Sequence, residues 1–264
     1  MTPSDKYFLI DEPTVISFSG GRTSAYMLWR VLQANQGLPE EAIVCFANTG
    51  KEEEATLEFV RDCEKNWGVE IHWLEYRNSE QKFERVSFET ASRNGEPFEA
   101  LITKKNYLPN MVARFCTQEL KVLTIDRYLK FLGISDYMTF VGVRADEPRR
   151  VAKIRTQETK LCPLASAGVS EKDVWEFWDQ QEFDLKLAKF SGASNCDLCF
   201  LKGGEILMGL INQKPERVVW WAQMEEKVGA TFRSDRPSYQ SMMRFNADQM
   251  KLFSDETIPC FCGD

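Results

Sequence analysis

Two groups of residues in this sequence could do chemistry by their type and spacing. The first is Ser17-Phe18-Ser19-Gly20-Gly21-Arg22-Thr23-Ser24. Paired glycines let a backbone turn sharply and approach a ligand closely. Hydroxyls and a guanidinium stand beside them, ready to hold an anion. The second is Cys196-Asp197-Leu198-Cys199, with Cys260-Phe261-Cys262 near the end. A Cys-x-x-Cys turn brings two thiolates to one ion, and Cys-x-Cys can close a tetrahedral four-thiolate site. The chain has 8 cysteines and 1 histidine, His72. A multi-histidine zinc site is therefore excluded. The metal candidates for Cys196, Cys199, Cys260 and Cys262 are a 4Fe–4S cluster or zinc. A Ser-His-Asp triad would have to use His72, which sits in the apolar run 69–74, so His72 reads as a core or strand-edge residue. Cys45 and Cys63 read as core.

These groups need elements to position them. Residues 15–19 read as a short buried strand. Residues 23–35 read as a helix with Tyr26, Met27, Val31 and Leu32 apolar and Gly37 as its stop. Strand 42–48, helix 52–67 and strand 69–74 follow. That βαβαβ order predicts a parallel sheet with right-handed crossovers. Residues 77–118 show no clear period. Residues 119–131 read as a helix, 137–143 as a strand, and 170–181 as a helix opened by the pair Ser170 and Asp173. From about 184 the chain reads as helical and rich in Cys, Gly and Trp. The expected fold is α/β: a doubly wound, mostly parallel sheet in residues 1–183, with a helical Cys-rich extension in 184–264. A chain of 264 residues has room for both.

The glycine loop gains meaning from standing between a strand and a helix. The first amides of a helix have no internal partner, and the helix start carries partial positive charge. One helix start contributes about 0.3–2 kcal/mol toward an anion. Ser17, Ser19, Gly20, Gly21, Arg22, Thr23 and Ser24 together could hold a pyrophosphate or sulfate. The plain alternative is a glycine-rich turn. The loop is neither a Walker loop nor the dinucleotide fingerprint. Asn48, Thr49 and Gly50 end the second strand, where open α/β sheets bind ligands.

The loop resembles the PP-loop, Ser-Gly-Gly-x-Asp-Ser, of the adenine nucleotide alpha-hydrolases, with Thr23 where the common pattern has Asp. The run from Phe46 through Lys51 to Glu52 resembles that superfamily's second nucleotide-facing loop. Arg114-Phe115-Cys116, continuing to Lys121, resembles the Cys-then-Lys segment of the PAPS (3′-phosphoadenylyl sulfate) reductase family. Val141-Gly142-Val143-Arg144-Ala145-Asp146-Glu147 resembles its Gly-x-Arg-x-x-Glu stretch. Cys162-Pro163-Leu164 and Asp173-Val174-Trp175 resemble two further signatures. The ordered set runs from about residue 14 to 200.

The resemblance implies a nucleotide, ATP or PAPS, with magnesium as its companion ion. It adds Asn48, Thr49, Gly50, Gly142 and Asp146 to the nucleotide-facing set, and gives Cys116, Lys121 and Arg144 catalytic roles. Relatives with a PP-loop and Cys-x-x-Cys often carry 4Fe–4S clusters, which favours iron–sulfur over zinc and makes Cys116 an alternative to a tail cysteine as ligand. The implied reaction is ATP-dependent sulfur transfer, adenylating its acceptor and releasing pyrophosphate. One alternative is a PAPS or adenylyl sulfate reductase forming sulfite, with Cys262-Gly263 loosely resembling the reductases' catalytic pair. Another is a non-catalytic nucleotide-binding subunit, which Thr23 in place of Asp allows.

A net charge of -7 argues against a general nucleic-acid coat. Locally, Arg144, Arg149, Arg150, Lys153, Arg155 and Lys160 outnumber Asp146, Glu147 and Glu158. That run could meet a nucleic-acid acceptor, or could be a solvated loop with its own ion pairs. A sulfur- or electron-donor protein is the other implied partner, and the oligomeric state is left open. No apolar run nears the roughly 20 residues of a membrane helix. The start of the chain, with Asp5, Asp11 and Glu12, does not read as a secretory signal, so a cytoplasmic location is expected. The pairs Trp175/Trp178 and Trp220/Trp221 read as packing residues.

Overall fold

The computed structural model describes residues 4–187 and 195–244. Strands β1 (Thr14–Phe18), β2 (Ala42–Asn48), β3 (Ile71–Glu75), β4 (Glu84–Val86), β5 (Met138–Val141) and β6 (Lys160–Leu161) form one sheet in the order β4-β3-β2-β1-β5-β6. Only β4 is antiparallel. The four expected strands are present, the second with its expected bounds and the others with ends shifted by one or two residues. β3 begins two residues later than the apolar run 69–74 suggests, because the register sets Val44 opposite Ile71.

Helices α1 (Arg22–Asn35) and α2 (Glu54–Trp67) supply the two crossovers. They cover one face of the sheet, where Ile16, Phe18, Val44, Phe46 and Trp73 meet Leu28, Val31, Phe59 and Val60. Each such side chain contributes about 1.5–3 kcal/mol by leaving water. Alternation along a strand sends Val15, Cys45 and Leu74 to the other face. There they pack against Ile125 and Leu129.

Sequence periodicity did not reveal α3 (Glu96–Lys105), β4 or β6. The predicted helix 119–131 is a π-helical stretch, Cys116–Val122, running into α4 (Leu123–Phe131). Widened turns of this kind are frequent at functional sites. The basic run folds as α5 (Pro148–Arg155), followed by β6. A short α6 (Pro163–Ser166) precedes α7 (Glu171–Trp178). Ser170 and Asp173 form the reciprocal cap that their spacing predicts.

Helices α8 (Gly204–Gln213), α9 (Arg217–Val228) and α10 (Tyr239–Met242) build a second core around Trp221. That core also takes in Tyr76, just past the end of β3, and Leu120 of the π-helical stretch. Among the described residues no helix is long and apolar enough to cross a membrane.

Candidate functional site

β1 is flanked by β2 on one side and β5 on the other, so the chain order reverses between β1 and β5. Ligands of open α/β sheets bind outside the carboxyl ends of the strands at such a reversal. The loop after β1 and the loop after β5 both open there.

The first loop is built for close approach. Gly20 has φ +79°, and a Cβ on it would lie 2.7 Å from Thr56 Cγ2. Ser24 Oγ accepts from the Ser19 amide at 3.1 Å, pairs with Ser19 Oγ at 2.8 Å and donates to the Gly21 carbonyl at 2.9 Å. These bonds close the loop on itself. Gly21 is the N-cap of α1, and no side chain caps the helix start. Orphan amides at this position are an anion site in waiting.

Arg22 is directed elsewhere: Nε and Nη2 hold Asp184 at 2.7 and 2.9 Å, and the guanidinium lies over Trp175. Thr23 is buried, and its Oγ1 accepts from Arg144 Nη1 at 3.2 Å. Arg144 thus ties the loop after β5 to the loop after β1. Asp146 accepts from Arg144 Nε at 3.0 Å and from the Glu171 amide at 2.9 Å. Burial works against the Asp146 carboxylate, but these two donors hold its pKa below the usual value. Gly142 brings the β5 end within reach of α1: a Cβ there would sit 3.0 Å from Ser24 Cα. Ser17 turns to the opposite sheet face and lines a cavity between α4 and α5.

The loop after β2 is held from within. Asn48 is fully buried; its Nδ2 donates to Glu75 and to the Ser92 carbonyl, and its Oδ1 accepts from the Gly50 amide. Thr49 donates through both N and Oγ1 to Glu52 Oε2, each at 2.8 Å. Glu52, which the sequence placed at the end of the resembling run without a role, is the hub of this loop. Its other oxygen, Oε1, lies 3.3 Å from Lys121 Nζ and 4.0 Å from Cys196 Sγ. Cys116 opens the same π-helical stretch that carries Lys121.

The Cys-x-x-Cys segment crosses this loop. Glu52 and Cys196 form an antiparallel bridge, the Glu53 amide donates to the Asn195 carbonyl, and the Asp197 amide donates to the Lys51 carbonyl. Asn195 Nδ2 reaches the Ser19 carbonyl at 2.7 Å, joining the segment to the first loop as well. Lys51 stands in the loop that carries the resemblance, and Asn195 and Asp197 flank Cys196, but the sequence assigned none of them a role. Polar residues flanking Cys196 were the available signal, but their partners lie far away in the chain.

Cys196 and Cys199 share one turn, with Cys199 buried and Cys116 and Cys196 bordering the same apolar cluster. Cys260 and Cys262 lie outside the described residues. Among the described residues, no three His, Cys, Asp or Glu come together in a set that could hold a metal ion. The described side chains alone therefore do not make a cluster or zinc site. Cys45 and Cys63 are core, and burial pushes the Cys45 thiol up to about 12. His72 is in β3, with Nδ1 2.6 Å from Tyr128 Oη.

The chain is 32% identical over 197 residues to the uncharacterized nin region protein ORF290 of Escherichia phage lambda, covering 71% of this chain and 66% of the phage protein. It is 28% identical over 141 residues to an uncharacterized protein of Methanocaldococcus jannaschii, covering 53% of this chain and 25% of that protein. It thus spans just under two thirds of the first relative and a quarter of the second. Among solved structures, a phosphoadenylyl-sulfate (PAPS) reductase from Candida auris aligns with a TM-score of 0.46 at 13% identity, covering 68% of this chain and 79% of that one. The U34-tRNA thiolase NcsA from Methanococcus maripaludis, with its [4Fe-4S] cluster, aligns with a TM-score of 0.43 at 15% identity, covering 99% and 82%. The loops after β1, β2 and β5 and the π-helical stretch all fall within residues 13–187, which match the phosphoadenosine phosphosulfate reductase domain, and the chain belongs to that family, in the PP-loop adenine nucleotide alpha-hydrolase-like superfamily.

Proposed function

We propose that this protein is an adenine-nucleotide enzyme that activates an acceptor with ATP and exchanges an oxygen of that acceptor for sulfur. The observation that carries the reading is the uncapped start of α1 behind Gly20 and Gly21, at the reversal between β1 and β5. The nucleotide's phosphates lie against the amides of Gly21, Arg22, Thr23 and Ser24. Ser19, Asn48, Thr49, Gly50, Gly142 and Asp146 shape the loops around it. Arg144 keeps Thr23 in place and puts positive charge beside the phosphates.

In the first step an acceptor oxygen attacks the α-phosphorus of ATP and pyrophosphate leaves. In the second, sulfur at the oxidation level of hydrosulfide, brought by a donor, attacks the activated carbon, and AMP departs with the oxygen. Cys116 and Lys121 guide that sulfur: both stand on the π-helical stretch, with Lys121 held at the Glu52 carboxylate. Cys196 and Cys199, with Cys260 and Cys262 or with Cys116, would supply the thiolates for a 4Fe–4S cluster, which would offer the incoming sulfur a binding site.

Anaerobic protein incubated with ATP, sulfide and candidate acceptors would be assayed for pyrophosphate. Release that depends on an acceptor supports the reading. ATP that binds without turnover in every mixture leaves a nucleotide-binding subunit. Sulfite formed from PAPS, with no pyrophosphate from ATP, replaces the reading with reduction.

A further inference from the structure

The face of the sheet opposite α1 and α2 carries a cavity of about 450 Å³ between α4 and α5. That volume lies within the roughly 300–1,000 Å³ of ligand pockets. Its floor is apolar, formed by Val15 and Val141 of the strands with Ile125 and Ile154 of the helices. Ser17, Thr117 and Lys121 form the end nearest the nucleotide loops, and Lys153 and Lys160 form the α5–β6 wall.

The charges in this cavity are unevenly spoken for. Lys121 pairs with Glu52, Arg150 with Glu147, and Lys130 with Asp126. Asp126 also accepts from Tyr137 Oη at 3.1 Å. Asp136 is the other carboxylate on the lining. The half-buried side chain of Lys160 has no ion pair among the described residues, and burial pulls its pKa down. Arg149 and Arg155, exposed on α5 outside the cavity lining, likewise have no ion pair among the described residues. α5 carries Arg149, Arg150, Lys153 and Arg155 and no acidic residue. At about 1.5 Å per residue its basic residues span about 9 Å of helix axis, with Arg150 and Lys153 on the side that lines the cavity. That is more than a single phosphate requires, and it stands on a chain whose net charge is -7.

We propose that this groove receives one nucleotide of a single-stranded nucleic acid, its base on the apolar floor and its backbone phosphates along α5 and β6. The proposal rests on the adenylation reading above and names the class of acceptor. Adenylation requires the acceptor oxygen beside the nucleotide's α-phosphorus. One end of the groove lies at Ser17, two residues before Ser19, and at Lys121 on the π-helical stretch that begins with Cys116, which is the end nearest the loop after β1. A carbonyl oxygen of the seated base would attack the α-phosphorus as pyrophosphate leaves. Enzymes that act on a base take it out of the stack into such a pocket.

The test uses the full chain and a fluorescein-labelled single-stranded RNA of about 16 nucleotides, near the upper site size of a strand-binding groove. Anisotropy would be followed at about 50 and 200 mM salt, with ATP affinity measured by calorimetry on the same preparations. K153Q/K160Q should weaken RNA binding about tenfold at the lower salt. It should reduce the salt slope by about 1.4, two phosphate contacts at about 0.7 each, while ATP affinity stays within about twofold. R149Q/R155Q, at exposed positions, should weaken RNA in the same direction. Unchanged RNA affinity in both variants would overturn the proposal. So would a parallel loss of ATP binding, since the groove would then be ATP's own. Wild-type protein that binds ATP but no RNA ends this proposal and leaves the nucleotide reading standing. Protein that binds RNA but no ATP does the reverse.

Discussion

Lys51 Nζ lies 2.9 Å from Asp197 Oδ2, and both side chains are 8% exposed. This buried pair joins the loop after β2 to the turn carrying Cys196 and Cys199. Asp197 Oδ1 also accepts from Trp221 Nε1 at 3.0 Å, and the Lys51 ammonium lies over Trp220. The α8–α10 core is thereby tied to the loop after β2 by polar groups that water barely reaches. Removing one partner strands the other, so Asp197→Ala should cost about 3–5 kcal/mol. The double variant Lys51→Met with Asp197→Leu should recover a substantial part of that loss. Urea unfolding of the two single variants and the double variant measures the coupling.

Gly20 makes the sharpest local prediction. Its left-handed φ costs any other residue about 1–2 kcal/mol, and an added Cβ would meet Thr56 Cγ2 at 2.7 Å. Gly20→Ala should lower the unfolding midpoint and, by moving the Ser19–Ser24 hydroxyl bond, weaken ATP binding beyond detection. Calorimetric titration at a temperature where the variant is still folded separates the two effects. Full ATP affinity there would remove the loop from the binding site.

Cys116 and Lys121 divide the proposed reaction. Cys116→Ser should leave acceptor-dependent pyrophosphate release within a few-fold of wild type. It should reduce sulfur incorporation by about 100-fold or more, the scale of a lost catalytic group. Lys121→Met takes the ammonium away from the buried Glu52 carboxylate and should lower stability by about 1–3 kcal/mol as well. Pyrophosphate and sulfur-bearing product, followed in one reaction mixture, would tell these roles apart.

His72 provides a pH test. Burial first, and then the Arg85 guanidinium, hold its pKa below the ordinary 6.5, against the pull of Glu70. The folded state therefore prefers the neutral ring. Between the folded and unfolded values the unfolded chain binds more protons, so stability rises with pH there. This contribution is complete above about 6.5 and is lost as pH falls through the folded value. His72→Gln keeps a group able to bond Tyr128 and removes the titration. The wild-type excess in urea midpoint should therefore shrink between pH 8 and pH 5. An excess that is constant across that range would contradict the assignment.

Much of the architecture was legible because local rules decide it. Alternation along β1 and β2, apolar spacing along α1 and α2, and the Ser170–Asp173 cap all act within a few residues of chain. Elements that answer to distant partners were not legible. β4 and β6 are too short to carry a period and exist because β3 and β5 offer unpaired edges. The basic run became a helix whose buried side is only Arg150 and Val151, too little apolar surface to announce itself.

The site divides along the same line. Residue order alone determined that a glycine loop would sit between the first strand and the first helix, because backbone geometry there needs no distant partner. Only the tertiary structure decided what the side chains around it do. Arg22 turns to Asp184, 162 positions along the chain, instead of to the loop. Glu52 gathers Thr49, Lys121 and the Cys196 segment into one buried hub. Ion pairs and hydrogen bonds of that kind are chosen by which elements pack together, and spacing along the sequence carries no record of them.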